Sequence, residues 1–397
     1  MNKLILQNIE QLISRKNEKK FYIENYQFKF MGEGSFGIIY KVSGNGKEII
    51  IKIMKNQDRE PRKCLKIKKK IEELKDKNKK ELIKKYTTNI LEVELDIPNE
   101  VIFMEYLDGE DLSDYLDIEK EIEEELFYVL VSKILLAVFS FHYILKYSHR
   151  DLKLGNIFYN PNTKILKLID FGFACPFNDY DCYNRYQGTS IYIHPLMNKK
   201  VLNNMYGGKY LKGAKSKIGS PSKIDSPSKI GSPYKKKRYS LKSSSSSINT
   251  IGFPKPRSQD IFSVIIIIFK IYSYIDDYNS KTNLEEQKLD KYLNLLFSHN
   301  SKTFNRKNKF TKRFEKKNIF FKNLNTINPK EISNKLISGL IEIIKKYWNF
   351  DDNNFISSKG NDKSKKIFYE LLELSINNIS NKKVRNELNK DKKIVLF

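Results

Sequence analysis

His149-Arg150-Asp151-Leu152-Lys153-Leu154-Gly155-Asn156, followed twelve residues on by Leu168-Ile169-Asp170-Phe171-Gly172, is the stretch whose reading decides the fold. Ionisable and amide side chains stand here among leucines and isoleucines. Capping or a surface ion pair would account for any one of them. Neither accounts for two further stretches upstream in a fixed order. Gly32-Glu33-Gly34-Ser35-Phe36-Gly37 leads into Ile38-Ile39-Tyr40-Lys41, and Ile49-Ile50-Ile51-Lys52-Ile53 follows.

Each upstream stretch has its own physical reading. A glycine-rich turn lets backbone N–H groups approach phosphate oxygens without a Cβ in the way. A dinucleotide-binding fingerprint needs a helix next. Here a second strand follows, which favours a β-hairpin lid over a nucleotide. Lys52 sits inside an apolar strand, so a buried ammonium there needs an anionic partner. The α- and β-phosphates of a nucleotide would supply one; an edge-strand lysine facing water is the other reading.

Taken together, the four stretches resemble the eukaryotic protein-kinase family in motif, order and spacing. The resemblance covers roughly residues 26–275, less an insertion, and more weakly the C-terminal helices. It implies an α+β, bilobal fold. A small antiparallel-sheet lobe around one helix would span 26–105, and a larger, mostly helical lobe 109–380. Residues 1–25 would be an N-terminal extension and 381–397 a basic tail. It also implies Ser/Thr-directed phosphotransfer from ATP with Mg²⁺. Asp151 would be the catalytic base and Lys153 would offset charge on the γ-phosphate. Asn156 and Asp170 would hold the metal. The nucleotide would be held by Met31, Gly32, Glu33, Gly34, Ser35, Phe36, Gly37, Ile38 and Ile39, with Lys52 on its phosphates. Met104-Glu105-Tyr106-Leu107 resembles the hinge, with Met104 as gatekeeper, Glu105 to Leu107 on the adenine and Asp111 on the ribose. Thr189 would bond Asp151 and Lys153, and Asp260 would brace the catalytic loop. Lys153 favours Ser/Thr over Tyr by family analogy.

The sequence also departs from the family. His194-Pro195-Leu196 replaces Ala-Pro-Glu, and no arginine partner appears around 347–354, so both halves of that ion pair are expected to be absent. Val264 stands where the family usually has Gly. The glutamate partner of Lys52 stays open: counting back from Ile90 favours Glu72 or Glu73, with Glu60 a further alternative. No Ser or Thr lies between Gly172 and Gly188. Asp179, Asp181 and the tyrosines Tyr180, Tyr183 and Tyr186 stand there, so an acidic residue is expected to substitute for a loop phosphate facing Arg150.

Around these motifs the chain reads as strands and then helices. Residues 21–53 alternate as strands around the hairpin signal Ser43-Gly44-Asn45-Gly46. Residues 59–86 read as one helix, and strands follow near 90–97 and 100–105. Residues 198–256 are rich in Ser, Lys, Gly and Pro, with the repeats Ser216–Pro221, Ser222–Pro227 and Ser228–Pro233, and disorder is expected. Seven Lys/Arg and one Asp between 216 and 238 give +6. Phosphates on Ser220, Ser226 and Ser232 would add about −5 to −6, a possible charge switch beside the substrate groove; an unselected expansion is the plainer reading. Residues 298–317 read as a further basic loop.

The whole chain of 397 residues carries 73 Lys+Arg against 47 Asp+Glu, a net charge of +26. Attraction to nucleic acid or acidic proteins is one reading. No nucleic-acid motif accompanies the charge, and Lys, Asn and Ile are heavily used throughout. A nucleic-acid-binding protein on this scaffold, or a catalytically weak pseudokinase scaffold, are the alternatives. Cys64, Cys175 and Cys182 lack metal-type spacing, so reduced thiols in an intracellular protein, cytoplasmic or nuclear, are expected. No transmembrane segment is expected: the longest apolar run, Val264 to Phe269, is too short to span a bilayer.

Overall fold

The computed structural model describes residues 1–34, 37–55, 59–95, 97–179, 187–195, 256–275, 283–298, 306–349, 354–355 and 363–396. The expected insertion at 198–256 and the Ser-Pro repeats lie almost wholly outside them, as do Ser35, Phe36, Asp181 and the three loop tyrosines.

Two short helices, α1 (Asn2–Gln7) and α2 (Ile9–Ser14), open the chain and lead into strands β1 (Lys20–Ile23), β2 (Tyr26–Glu33), β3 (Gly37–Gly44) and β4 (Lys47–Met54). Asn45 and Gly46 both take positive φ, 52° and 70°, in the tight turn between β3 and β4, as the Asn-Gly signal predicts. Two helices follow, α3 (Glu60–Glu72) and α4 (Lys77–Tyr86), and then β5 (Ile90–Glu94) and β6 (Val101–Glu105). The six strands form one antiparallel sheet in the order β1-β2-β3-β4-β6-β5.

Strand alternation gives this sheet two unlike faces. On one, Ile38, Tyr40, Val42, Ile49, Ile51 and Ile53 pack with Phe21 and Phe28, and Ile5, Ile9 and Leu12 of the N-terminal helices cover them. The Tyr40 hydroxyl donates to the Leu12 carbonyl at 2.8 Å. The stretch expected as an N-terminal extension is thus built into the small lobe. The other face carries Ile39, Ile50 and Lys52, which line a cleft.

The small lobe holds more than the one helix expected. Residues 59–86 break at 73–76, where Asp76 caps α4 by accepting from the Lys79 N–H. In α3 the buried residues Glu60, Cys64, Ile67 and Ile71 recur at helical spacing, the stripe that docks it.

The larger lobe begins with β7 (Glu110–Asp111), α5 (Leu112–Glu119) and α6 (Glu124–Ser140). Short strands β8 (Tyr147–Ser148), β9 (Ile157–Tyr159), β10 (Leu166–Leu168) and β11 (Cys175–Pro176) flank the catalytic-type motifs. Then come α7 (Pro256–Tyr272), α8 (Leu284–Phe297), α9 (Arg306–Leu324), α10 (Lys335–Tyr347), strands β12 (Trp348–Asn349) and β13 (Asn354–Phe355), α11 (Lys363–Asn377) and α12 (Lys382–Leu396). The Val264–Phe269 run is the buried centre of α7. Among the described residues, one helical stretch, Glu124–Leu145, is long and apolar enough to cross a membrane; most of it is packed inside the lobe.

Two expectations change here. Residues 306–317 are the start of α9 instead of a basic loop. The basic tail is α12, held by Asp391, which accepts from Lys85 at 2.6 Å and from the Tyr86 hydroxyl at 2.7 Å. A lysine-rich composition hides the periodic apolar residues Leu388 and Val395 that bury this helix.

Candidate active site

Lys52 stands on the cleft face of β4 because its neighbours Ile51 and Ile53 fill the opposite core. Its ammonium is buried and meets the Glu60 carboxylate at 2.6 and 2.8 Å. Burial works against the charge, but the carboxylates of Glu60 and Asp170 outweigh it and raise the lysine pKa above its ordinary value. The partner is therefore Glu60, not Glu72 or Glu73. Counting back from Ile90 fails because α4 is an extra helix between α3 and β5. Glu72 faces outward and pairs with Lys68 on its own helix.

Asp260, at the start of α7, is fully buried beneath the catalytic-type loop. It accepts from the backbone N–H of His149 at 2.7 Å and of Arg150 at 2.8 Å, from the Ser148 hydroxyl at 2.9 Å, and meets His142 Nε2 at 2.7 Å. Burial alone would raise its pKa; the His142 contact and the other donors and charges lower it below the ordinary value. Arg150 takes a positive φ of 68°, a strained geometry for a side chain with a Cβ. Two bonds from one carboxylate hold the loop in it.

Above that brace, Asp151 Oδ1 accepts from the Thr189 N–H at 2.8 Å and the Thr189 hydroxyl at 2.9 Å. Asn156 Nδ2 donates to the Asp151 carbonyl at 2.8 Å and to Oδ2 at 3.0 Å. Lys153 Nζ lies 3.5 Å from Oδ2; it reaches Asp151 instead of Thr189. Gly188, with φ +108°, lets this turn pass the Arg150 carbonyl, which a Cβ would meet at 2.6 Å. Asp170, also at positive φ, lines the cleft, and the next ring, Phe171, stacks on Phe141 at 5.6 Å. His149 Nε2 meets the carbonyl of Ile169, the residue before Asp170, at 3.1 Å.

The cleft between the lobes has a volume of about 570 Å³ and joins Met31, Ile39, Lys52, Met104, Glu105, Leu107, Asp111, Asn156 and Asp170 in its lining. It is the size of a small-molecule site. The buried Lys52–Glu60 pair and Asp170 share it with the Met104–Leu107 crossover. A family model described as a protein kinase domain matches residues 26–209.

This chain carries a eukaryotic-type protein kinase domain.

Serine/threonine-protein kinase dst1 of Dictyostelium discoideum is 31% identical over 182 residues, covering 45% of this chain and 23% of that protein. Calcium-dependent protein kinase 3 of Plasmodium yoelii yoelii is 27% identical over 196 residues, covering 49% of this chain and 34% of that protein. Mitogen-activated protein kinase kinase 2 of Arabidopsis thaliana is 29% identical over 109 residues, 27% of this chain and 29% of that protein. The chain thus spans well under half the length of each of these relatives.

Two of the expected nucleotide contacts turn their side chains elsewhere, Ile38 and Glu33. Ile38 is buried on the far side of the sheet, because neighbours in a strand face opposite ways. The Glu33 carboxylate pairs with Lys16 at 3.1 Å and Lys55 at 2.6 Å, at the surface. Gly32, Gly34 and Gly37 form the hairpin above and offer backbone only. Asp111 lines the cleft, with its Oδ1 also accepting from Ser113 and Asp114 N–H to cap α5. Glu105 uses its side chain on Lys167 at 2.6 Å and on the Asn89 N–H at 2.7 Å, which ties the crossover to β10. Ile50 and Ile169, motif residues given no role from sequence, also line the cleft, and Thr88, Phe158 and Asp114 do so without any motif to announce them.

The departure at His194 has a structural answer. Where an ion pair was missing, His194 packs on Phe262 and Trp348, with ring centroids 5.4 and 5.6 Å away, and Trp348 stacks on Phe321 at 4.6 Å. Lys317 of α9 is fully buried beside them. Its ammonium donates to the carbonyls of Ser190 at 2.8 Å and Ile193 at 2.7 Å, under the segment that carries Thr189. Sequence reading gave no sign of Lys317, one lysine among many.

Burial, then the Lys317 charge, push His194 down to about 3. The unfolded chain binds a proton near 6.5 that the folded chain refuses, so stability falls with pH across that window, by about 1.4 kcal/mol per unit. His194→Phe should flatten the pH dependence of denaturant midpoints between pH 6.5 and 4, leaving stability at pH 8 nearly unchanged.

Arg150 donates to the Gln187 side chain at 3.0 Å. Burial lowers its pKa to about 10, opposed by the charges of Asp260 and Asp179. Of the acidic residues expected to stand in for a phosphate, Asp179 is near enough to act on Arg150. Cys175 is disulfide-bonded, against the expectation of reduced thiols, while Cys64 is free and buried. Spacing along the chain does not set the Cα separation a disulfide needs.

Proposed function

We propose that this chain is an ATP-dependent serine/threonine protein kinase, moving the γ-phosphoryl group of ATP to a protein hydroxyl. The observation that carries the reading is the Lys52–Glu60 pair sharing one cleft with Asp170, the pairing phosphoryl transfer requires. Lys153 and the Ser/Thr-kinase name of the Dictyostelium relative favour Ser/Thr as the acceptor.

ATP would enter as substrate under the β2–β3 hairpin, with adenine against the Glu105–Leu107 backbone and its phosphates near Lys52. The donor set fits Mg²⁺. Asn156 spends its amide nitrogen on Asp151, which leaves Oδ1, and Asp170 adds carboxylate oxygen, both hard ligands. Among the described residues no group of three or more His, Cys, Asp or Glu forms a metal cage, as suits an ion held partly by substrate phosphates. When bound, the ion would neutralise charge on the phosphates. Asp151, held by Thr189 and Asn156, would orient the acceptor hydroxyl and take its proton. Lys153 would offset charge that builds on the transferred group.

Bacterially made protein, used without an activating kinase, should transfer phosphate from Mg-ATP to a generic protein substrate. Asp151→Asn should lower kcat by about 10²- to 10⁴-fold, with ATP affinity and thermal midpoint unchanged. Equal turnover in both proteins, or none in either, would overturn the assignment. We also propose an intracellular location, cytoplasmic or nuclear, on composition and the Cys64 thiol; the bonded Cys175 is the observation against it.

A further inference from the structure

Between α3 and β5 the chain leaves the small lobe and returns to it. α4 stands in that stretch, yet it packs on α6 and β10 of the larger lobe. Its buried residues, Leu82, Ile83 and Tyr86, form the docking face. The three residues that follow reach in three directions. The Thr87 hydroxyl closes the helix by donating to the Ile83 carbonyl at 2.7 Å. Thr87 also pairs with Leu168, and the Thr88 N–H donates to the Leu168 carbonyl at 2.9 Å. Leu168 stands two residues before Asp170, and Thr88 lines the nucleotide cleft. The Asn89 N–H donates to the Glu105 carboxylate at 2.7 Å, and the Asn89 carbonyl accepts from the Glu105 N–H at 3.0 Å. Residues 86–89 are therefore a joint shared by the cleft wall, the crossover and the backbone that leads to Asp170.

The last helix holds this joint. Asp391 of α12 is buried, and its Oδ2 accepts from the Tyr86 hydroxyl at 2.7 Å and from Lys85 at 2.6 Å. Tyr86 is buried too. Burial, then the Asp391 charge, raise its pKa well above the ordinary value, so the hydroxyl stays a donor. Lys85 is partly exposed and has a second carboxylate, Glu387 at 2.8 Å, one turn from Asp391. The tyrosine bond is the one kept from water, and a bond to a charged acceptor there is strong. α12 is fixed in turn: it packs on α6 and α11, and Lys392 meets Glu373 at 2.5 Å. A close-packed interior has no slack to absorb a shift of Tyr86, so the shift passes on to Thr88 and Leu168.

We infer that Asp391 is a positioning residue for the nucleotide site. Through Tyr86 it sets the 86–89 joint, and through that joint the Thr88 wall of the cleft and the approach to Asp170. The inference rests on the phosphotransfer reading and adds the last helix to the parts that shape its nucleotide site.

The full chain is titrated with Mg-ADP by calorimetry and assayed for turnover with Mg-ATP and a generic protein substrate. Asp391→Ala and Tyr86→Phe should each weaken ADP binding and raise the KM for ATP by about 5- to 10-fold, within the reach of residues that act on a site through packing. The KM for the protein substrate should stay nearly constant. The two changes together should lose no more than either alone, since one bond carries both effects. Both donors meet the same oxygen, so Asp391→Asn keeps the acceptor and should keep wild-type ADP affinity. Hydrogen exchange at the Thr88 amide should quicken in Asp391→Ala and Tyr86→Phe and not in Asp391→Asn. Ile344→Val, a core trim in α10, is the stability control: it should lower the thermal midpoint and leave ADP affinity unchanged. Wild-type ADP affinity in both Asp391→Ala and Tyr86→Phe overturns the inference. So do losses that add in full in the double variant, or an equal loss in Ile344→Val for the same drop in thermal midpoint. Should Asp391→Ala fail to fold, Tyr86→Phe, which leaves Asp391 on Lys85, decides alone. ADP binding that needs Asp391, in a wild type that transfers no phosphate, upholds the joint and refutes phosphotransfer. Transfer by a wild type whose ADP affinity ignores both variants refutes the joint alone. A wild type that neither binds ADP nor transfers phosphate overturns both.

Discussion

Glu60→Gln is expected to cost about 3–5 kcal/mol of stability, because it strands a buried ammonium without its carboxylate. Lys52 and Glu60 are both buried, 2.6 Å apart, so little water can replace the lost partner. Activity should fall by about 100-fold or more, since the lysine loses the contact that aims it and small misplacements at a transfer site cost that much. Chemical denaturation and steady-state kinetics measure the two losses separately. Lys52→Met combined with Glu60→Leu separates their causes. Removing both charges should recover most of the stability and none of the activity. A double variant as unstable as Glu60→Gln would refute the buried pair as the source. The sign with pH follows from the raised lysine pKa. The pair's contribution is full below the ordinary lysine value and is lost only as pH rises through the higher folded value. The instability of Glu60→Gln relative to wild type should therefore be the same at pH 6 and pH 8.

Lys317→Met is expected to be the other large effect, and it acts far from the nucleotide. Methionine keeps length and apolar stem but removes the donor to Ser190 and Ile193. Two carbonyls left without it, one buried and one partly buried, should cost about 2–4 kcal/mol together. Much of that should appear as loosening of the segment from Thr189 to His194, and with it the Thr189 grip on Asp151. The KM for a protein substrate should rise by about 10-fold or more, the rate equivalent of a 1.4 kcal/mol loss, while the KM for ATP stays nearly constant. Hydrogen exchange should speed up in residues 189–194 and leave the β-sheet protected. An unchanged protein-substrate KM with a uniformly lowered thermal midpoint would reduce Lys317 to a general core residue.

The motif residues were legible because each has a local reason to be where it is. Lys52 had to face a cleft once Ile49, Ile51 and Ile53 claimed the core side of β4, and Asp151, Asn156 and Asp170 kept their order and spacing. The same alternation also misled where it was not applied: Ile38 was grouped with Ile39, although adjacent strand residues point apart. Glu60 was harder to choose because the choice depended on where one helix ends and the next begins. That break, at residues 73–76, follows from an Asp cap inside a run of lysines that otherwise reads as continuous helix. Likewise the aromatic set around His194 joins its own segment to α7, α9 and β12, which no spacing rule connects.

By itself the sequence determined the two-lobed kinase architecture, the β2–β3 hairpin, and the order and spacing of the residues expected at the transfer site. These rest on turns, strand alternation and short motifs, whose physics acts over a few neighbouring residues. Only the tertiary structure decided that Glu60 answers Lys52, that the N-terminal helices and α12 are packed parts of the lobes, and that Lys317 props the segment that carries Thr189. Among so many lysines, burial decides which one matters. Burial is a property of surfaces brought together from distant parts of the chain.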